Sequence, residues 1–89
     1  MSQRLVDQGA RQIAQGNVVV ARQYFLRAAE IGSAAGAIRL AETYDAEMLG
    51  NLRVVGLKPD PKEAQRWYER AAQLGAPEAA ERLKRLVPR

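Results

Sequence analysis

Residues 21–40 and 64–83 carry one pattern twice, 43 positions apart. Eight of the twenty aligned positions are identical: Ala21/Ala64, Arg27/Arg70, Ala28/Ala71, Ala29/Ala72, Gly32/Gly75, Ala37/Ala80, Arg39/Arg82 and Leu40/Leu83. The aromatic pair Tyr24-Phe25 falls on Trp67-Tyr68 in the same alignment. Matched alanines alone carry little weight in an alanine-rich chain. Glycine stops and aromatic doublets that match in phase do constrain the fold. Helix, tight turn and helix at this period is the pattern of stacked helical hairpins, in which each unit buries its apolar face only against the next.

The clearest single helix runs from Asp60 to Gly75. Asp60 can accept from free backbone N–H groups, Pro61 suits the first helical position, and Glu63 stands where a capping box would reach back. Ala64, Trp67, Tyr68, Ala71, Ala72 and Leu74 form its apolar face, and Gly75 closes it. The other segments follow the same rules. Residues 2–15 place Leu5, Val6, Gly9, Ala10, Ile13 and Ala14 on one side and stop at Gly16. Asn17 caps a second helix with Ala21, Tyr24, Phe25, Ala28 and Ala29 inward, ending at Gly32. The β-branched Val18–Val20 run alone favours a strand, but the helical spacing after it outweighs that preference. Ser33 caps a third helix that reaches about Met48, with Ala34, Ala37, Ile38, Leu40, Ala41, Tyr44 and Met48 in a wide stripe. Such a stripe suits a helix packed between neighbours. Residues 49–59 then form a long connector whose Leu49, Leu52, Val54, Val55 and Leu57 should fold back on the helices. Ala76-Pro77 opens the last helix, with Ala79, Ala80, Leu83, Leu86 and Val87 inward.

These residues carry a family resemblance. Leu40, Ala41 and Tyr44, then Gly56, Asp60 and Ala64, then Trp67-Tyr68, Ala71-Ala72 and Gly75 follow the order of the Sel1-like repeats, relatives of the tetratricopeptide repeats. The match spans roughly residues 34–83. It departs from the family pattern at Ala41, where glycine is more typical, and in the long stretch between Tyr44 and Asp60. The first hairpin matches more loosely. The resemblance implies an all-α superhelix of about five helices in a single domain over residues 1–89. Hairpins would span about 2–32 and 33–75, with a closing helix at 76–87. It also implies a non-enzymatic protein-interaction scaffold or adaptor, and a groove lined by the first helix of each hairpin. On that pattern Ile38, Glu42 and Asp45 of the third helix, with Glu78, Glu81 and Arg85 of the last, would meet a peptide or protein partner. The groove would lean acidic and suit a basic or N-terminal peptide.

Composition narrows the alternatives. The chain has neither Cys nor His, which removes disulfides, thiolate ligands, the commonest general base and the commonest metal ligand. No cofactor fingerprint or phosphate loop is present, since the glycines stand alone at turns. Glu42, Asp45 and Glu47 are close in sequence, but only the first two share a helix face. No second motif supplies matching carboxylates, so a solvated helix surface is the plainer reading. Trp67 and Tyr68, at helical spacing beside alanines, read as core between hairpins rather than as base- or sugar-stacking groups.

Lys and Arg outnumber Asp and Glu by 14 to 10, a net charge of +4 spread from Arg4 to Arg89. Nucleic-acid binding through Arg66, Arg70, Arg82, Lys84 and Arg85 is the competing reading, with the weakness that such binders concentrate their charge in a patch. A third is self-assembly, including a homodimer that covers Leu83, Leu86 and Val87. No apolar run approaches the ~20 residues of a membrane span. With Met1 as the native start the compartment would be the cytoplasm. As a fragment of a membrane-anchored, bacterial-type envelope protein, the repeats would be periplasmic.

Overall fold

In the computed structural model, which describes residues 2–52 and 57–86, the described chain forms six helices. They are α1 (Ser2–Ala14), α2 (Val18–Glu30), α3 (Ala34–Glu42), α4 (Ala46–Leu52), α5 (Pro61–Gln73) and α6 (Ala79–Leu86). Each of α1, α2, α3 and α5 packs against the next in that series, α5 packs on α6, and α1 also touches α3. The Cα envelope measures 36 × 30 × 16 Å, a slab two helices thick. The all-α hairpin stack expected above is therefore the architecture observed. Gly16, Gly32 and Gly75 end α1, α2 and α5 at φ of 82°, 95° and 99°, a region that side chains with a Cβ avoid.

The caps explain where the helices begin. Ser33 Oγ accepts from the Gly36 N–H at 2.9 Å, and Asp60 Oδ1 accepts from the Glu63 N–H at 3.2 Å. The reciprocal half of a capping box is not formed. The Asp60 N–H already donates to Tyr44 O at 2.9 Å, and the Glu63 carboxylate lies 3.8 Å from Arg66. Asn17 precedes α2 without a side-chain cap bond, and its amide NH2 donates to Gln12 Oε1.

The third helix departs from expectation. It stops at Glu42 instead of reaching Met48, and a separate α4 begins at Ala46, giving six helices where about five were expected. The break has a tertiary cause. Thr43 Oγ1 donates back to Leu40 O at 2.6 Å, while the Arg22 guanidinium donates to Thr43 Oγ1 and to Thr43 O. With Tyr44 O bonded to the Asp60 N–H, the carbonyls that would continue the helix are occupied. Asp45 then caps α4, its Oδ1 accepting from the Glu47 N–H at 3.1 Å. The expected connector is thus helical over its first residues. Leu49 is buried and Leu57 half-buried, while Val54 and Val55 lie outside the described residues.

Two apolar clusters hold the slab together. Val6, Ala21, Phe25, Ala28 and Leu40 join α1, α2 and α3. Ala29, Ala37, Ile38, Ala41, Ala64, Tyr68, Ala71 and Ala79 join α2, α3, α5 and α6. Alanine at most of these positions allows the helix axes to approach closely. The aromatic doublets divide their labour: Phe25 and Tyr68 are buried, whereas Tyr24 and Trp67 are half-buried. Trp67 is therefore a boundary residue, not the fully buried core residue expected from its spacing. Ala72 and Ala80, expected inward, are exposed; Leu83 and Leu86 pack partly against the second cluster, and Val87 lies outside the described residues.

Candidate functional site

The side bearing α1, α3 and α6 is where the sequence pattern placed a partner groove. Three of its expected residues are interior: Ile38, Glu42 and Asp45 are 3, 7 and 6% exposed. The two carboxylates are not a solvated surface, because each has a structural bond that ties helices together. Glu42 Oε1 and Oε2 accept from Arg39 at 2.8 and 2.9 Å, and Oε2 also accepts from Arg82 of α6. Burial works against the Arg82 charge, yet the bond and charge of Glu42 outweigh it and hold the guanidinium above its ordinary value. Asp45 Oδ2 accepts from the Tyr68 hydroxyl at 2.6 Å. Burial is the main cause, and this hydrogen bond the next, of a Tyr68 pKa raised well above that of free tyrosine. Glu78, Glu81 and Arg85 are exposed, and Arg85 pairs with Glu47 of α4.

This face does not lean acidic as expected. The inward carboxylates are matched by arginines, and Arg39 keeps about half of its side chain in water. It also carries a small cleft of about 230 Å³, walled by Ala10 and Ile13 of α1 and by Arg39 and Glu42 of α3, with Phe25 beneath. The cations of the nucleic-acid reading are dispersed. Arg66 and Arg70 lie on α5, while Arg82 and Arg85 of α6 answer Glu42 and Glu47.

The larger concavity is a furrow between α2 and α5. α3 lies between these helices, and its Leu40, with Tyr44 in the turn that follows it, supplies the floor. Val19, Arg22, Gln23, Leu26 and Glu30 form one bank, and Glu63, Arg66 and Trp67 the other, around about 540 Å³. A second hollow of about 510 Å³ continues past Trp67 to Arg70 and Gln73. Arg22 stacks 4.0 Å from the Tyr44 ring centre, and Arg66 5.3 Å from that of Trp67. Among the described residues the exposed large hydrophobics are Val19 (57%), Val20 (41%), Leu26 (36%) and Ile31 (60%), all on α2 or the residue after it. Sequence reasoning missed this surface, although its signal was present. Val18, Val19, Val20 and Leu26 were the apolar residues of α2 left outside the inward stripe, and of these only Val18 is buried.

Stacked hairpins with solvated clefts and alanine-lined helix contacts define a helical-hairpin repeat protein. The family model described as Sel1 repeat matches residues 7–33 and 34–75. The chain belongs to the Sel1 repeat family, whose repeats are non-catalytic scaffold units that generally mediate protein–protein interaction. The first match begins at Asp7 within α1 and runs through α2, the hairpin with the looser sequence pattern. The second covers α3, α4 and α5, so α4 sits inside the long Tyr44–Asp60 connection. No curated protein and no solved structure matches the chain significantly. No described helix is long and apolar enough to cross a membrane.

Proposed function

We propose that this chain is a protein-docking module and that its docking face is the α2/α5 furrow. The observation that carries the reading is the exposed apolar pair Val19 and Leu26 on the α2 bank, opposite the half-buried Trp67. Large apolar side chains left exposed beside one furrow mark a contact surface more readily than the same residues scattered singly. The furrow combines it with an aromatic anchor and with arginines stacked on rings, the residue types enriched at protein interfaces. The α1/α3/α6 face offers less: its central carboxylates are already bonded, and its cleft is less than half the size.

A photo-crosslinking residue distinguishes the two faces. Placed at Gln23 on the furrow bank, it should yield protein adducts in cell extract. Placed at the exposed Glu81 of α6, it should yield few. Adducts from Glu81 and none from Gln23 would return the site to Glu78, Glu81 and Arg85.

A further inference from the structure

We propose that the occupant of the furrow is α2 of a second copy of this chain, related by a two-fold axis that passes near Leu26. The inference rests on the furrow being a docking face and names what docks there. Arg22, Leu26 and Glu30 are spaced i, i+4 and i+8, so they form one stripe along α2. All three line the furrow. The stripe runs from positive through apolar to negative, with its charges equidistant from Leu26.

Such a stripe is complementary to itself in one orientation only. An antiparallel pair about Leu26 places each Arg22 opposite the other copy's Glu30, with Nε and Nη2 still bonded to Thr43 and Nη1 left for the pair, and each Leu26 against its equivalent. A parallel pair would set like charges against each other. The same antiparallel approach carries Val19 and Val20, at the start of α2, toward Ile31 of the other copy. Of the four exposed large hydrophobics, Val19 and Leu26 line the furrow and are covered directly, while Val20 and Ile31 lie at the rim of the contact. A surface that meets itself across a two-fold axis closes as a dimer, as isologous contacts do. Trp67 on the far bank is placed to pack against the inserted helix of the other copy.

The contact expected earlier around Leu83, Leu86 and Val87 is not the one chosen. Leu83 and Leu86 already pack on the chain's own core, and the outward positions of α6 carry Glu81, Lys84 and Arg85. A helix of another protein remains an alternative occupant, and it is separated by experiment.

Sedimentation velocity across a concentration series tests the proposal. The wild type should pass from monomer to dimer and no further. Leu26→Glu, at an exposed position, should keep its helical circular dichroism while the dimer dissociation constant rises at least ~10-fold. Glu30→Arg should weaken the dimer in the same direction. The chain has no cysteine, so Leu26→Cys carries one thiol at the axis. It should oxidise to a covalent dimer, whereas Ala72→Cys on exposed α5 surface should not. A Leu26→Glu protein as dimeric as the wild type overturns the proposal, as does equal cross-linking at both thiol sites. A wild type that stays monomeric yet gives Gln23 adducts with other proteins overturns it too, but leaves the furrow as a docking face. A monomer without such adducts overturns both.

Discussion

Gly36 sets how closely α2 and α3 approach. A Cβ built on it would lie 2.6 Å from Ala28 Cβ and 2.9 Å from the Ala29 backbone nitrogen. Neither atom can swing away. Gly9 is tight in another manner, with its Cβ position 2.3 Å from Cε1 of the buried Phe25 ring. Alanine is the better helix former by ~1 kcal/mol at either site, but overpacking of ~1–3 kcal/mol opposes that gain. Gly36→Ala should lower the denaturation midpoint more than Gly9→Ala, because backbone must move in the first case and a ring in the second. Urea titration of both variants checks the order. The repeat equivalent of Gly36 is Ala79, itself buried, so the same contact between α5 and α6 accommodates one methyl more.

Tyr68 supplies a second prediction at this scale. Its hydroxyl, bonded to Asp45 and buried, titrates above the value of 10.0 that an unfolded tyrosine shows. A raised native pKa means that the neutral form stabilises the fold. That stability is fully present below pH ~10 and is lost as pH rises from there toward the native value, because the unfolded chain releases the proton first. Tyr68→Phe should remove this alkaline loss. At neutral pH it should cost ~1–3 kcal/mol, since Asp45 Oδ2 is then buried without its donor. Stability measured on either side of pH ~10 for both proteins decides it.

At the scale of elements, the helix starts were legible and one helix end was not. Ser33 and Asp60 act through their own side chains on N–H groups three residues on, so local sequence contains the whole cause. The end of α3 depends on Arg22, 21 residues upstream, and on the N–H of Asp60. A spacing rule continues the stripe through Tyr44 to Met48 because nothing local forbids it. The same distance effect reversed the reading of the acidic residues. Glu42 and Asp45 looked solvated because their partners, Arg82 and Tyr68, lie in α6 and α5. Asp45 did offer one local clue as a helix-capping residue type. Asp45→Ala should therefore cost more than Asp60→Ala. The first loses the cap of α4 and the Tyr68 bond together, whereas the second loses one exposed cap worth ~1 kcal/mol. Thermal melts of the two variants measure the difference.

At the scale of the whole molecule, the repeat shows how the outer surface of α5 and α6 differs from the internal contact it mirrors. Ala29, Ala37, Ile38 and Ala41 belong to the buried cluster that joins α2 and α3 to α5. Their equivalents 43 positions on are Ala72, Ala80, Glu81 and Lys84, and all four are exposed. Two of the four contact positions keep alanine, and the other two have changed from Ile38 to Glu81 and from Ala41 to Lys84. α6 therefore presents a polar outer face where the internal contact is apolar. This surface copies the geometry of an internal contact while removing its apolar chemistry. Restoring the internal residues should restore the stickiness. The double variant Glu81→Ile, Lys84→Ala should stay folded, because both positions are exposed, yet associate through α5 and α6. Light scattering should then show species beyond a dimer in this variant and none in the wild type. If the variant scatters like the wild type, the charges of α6 are not what keeps this surface from associating.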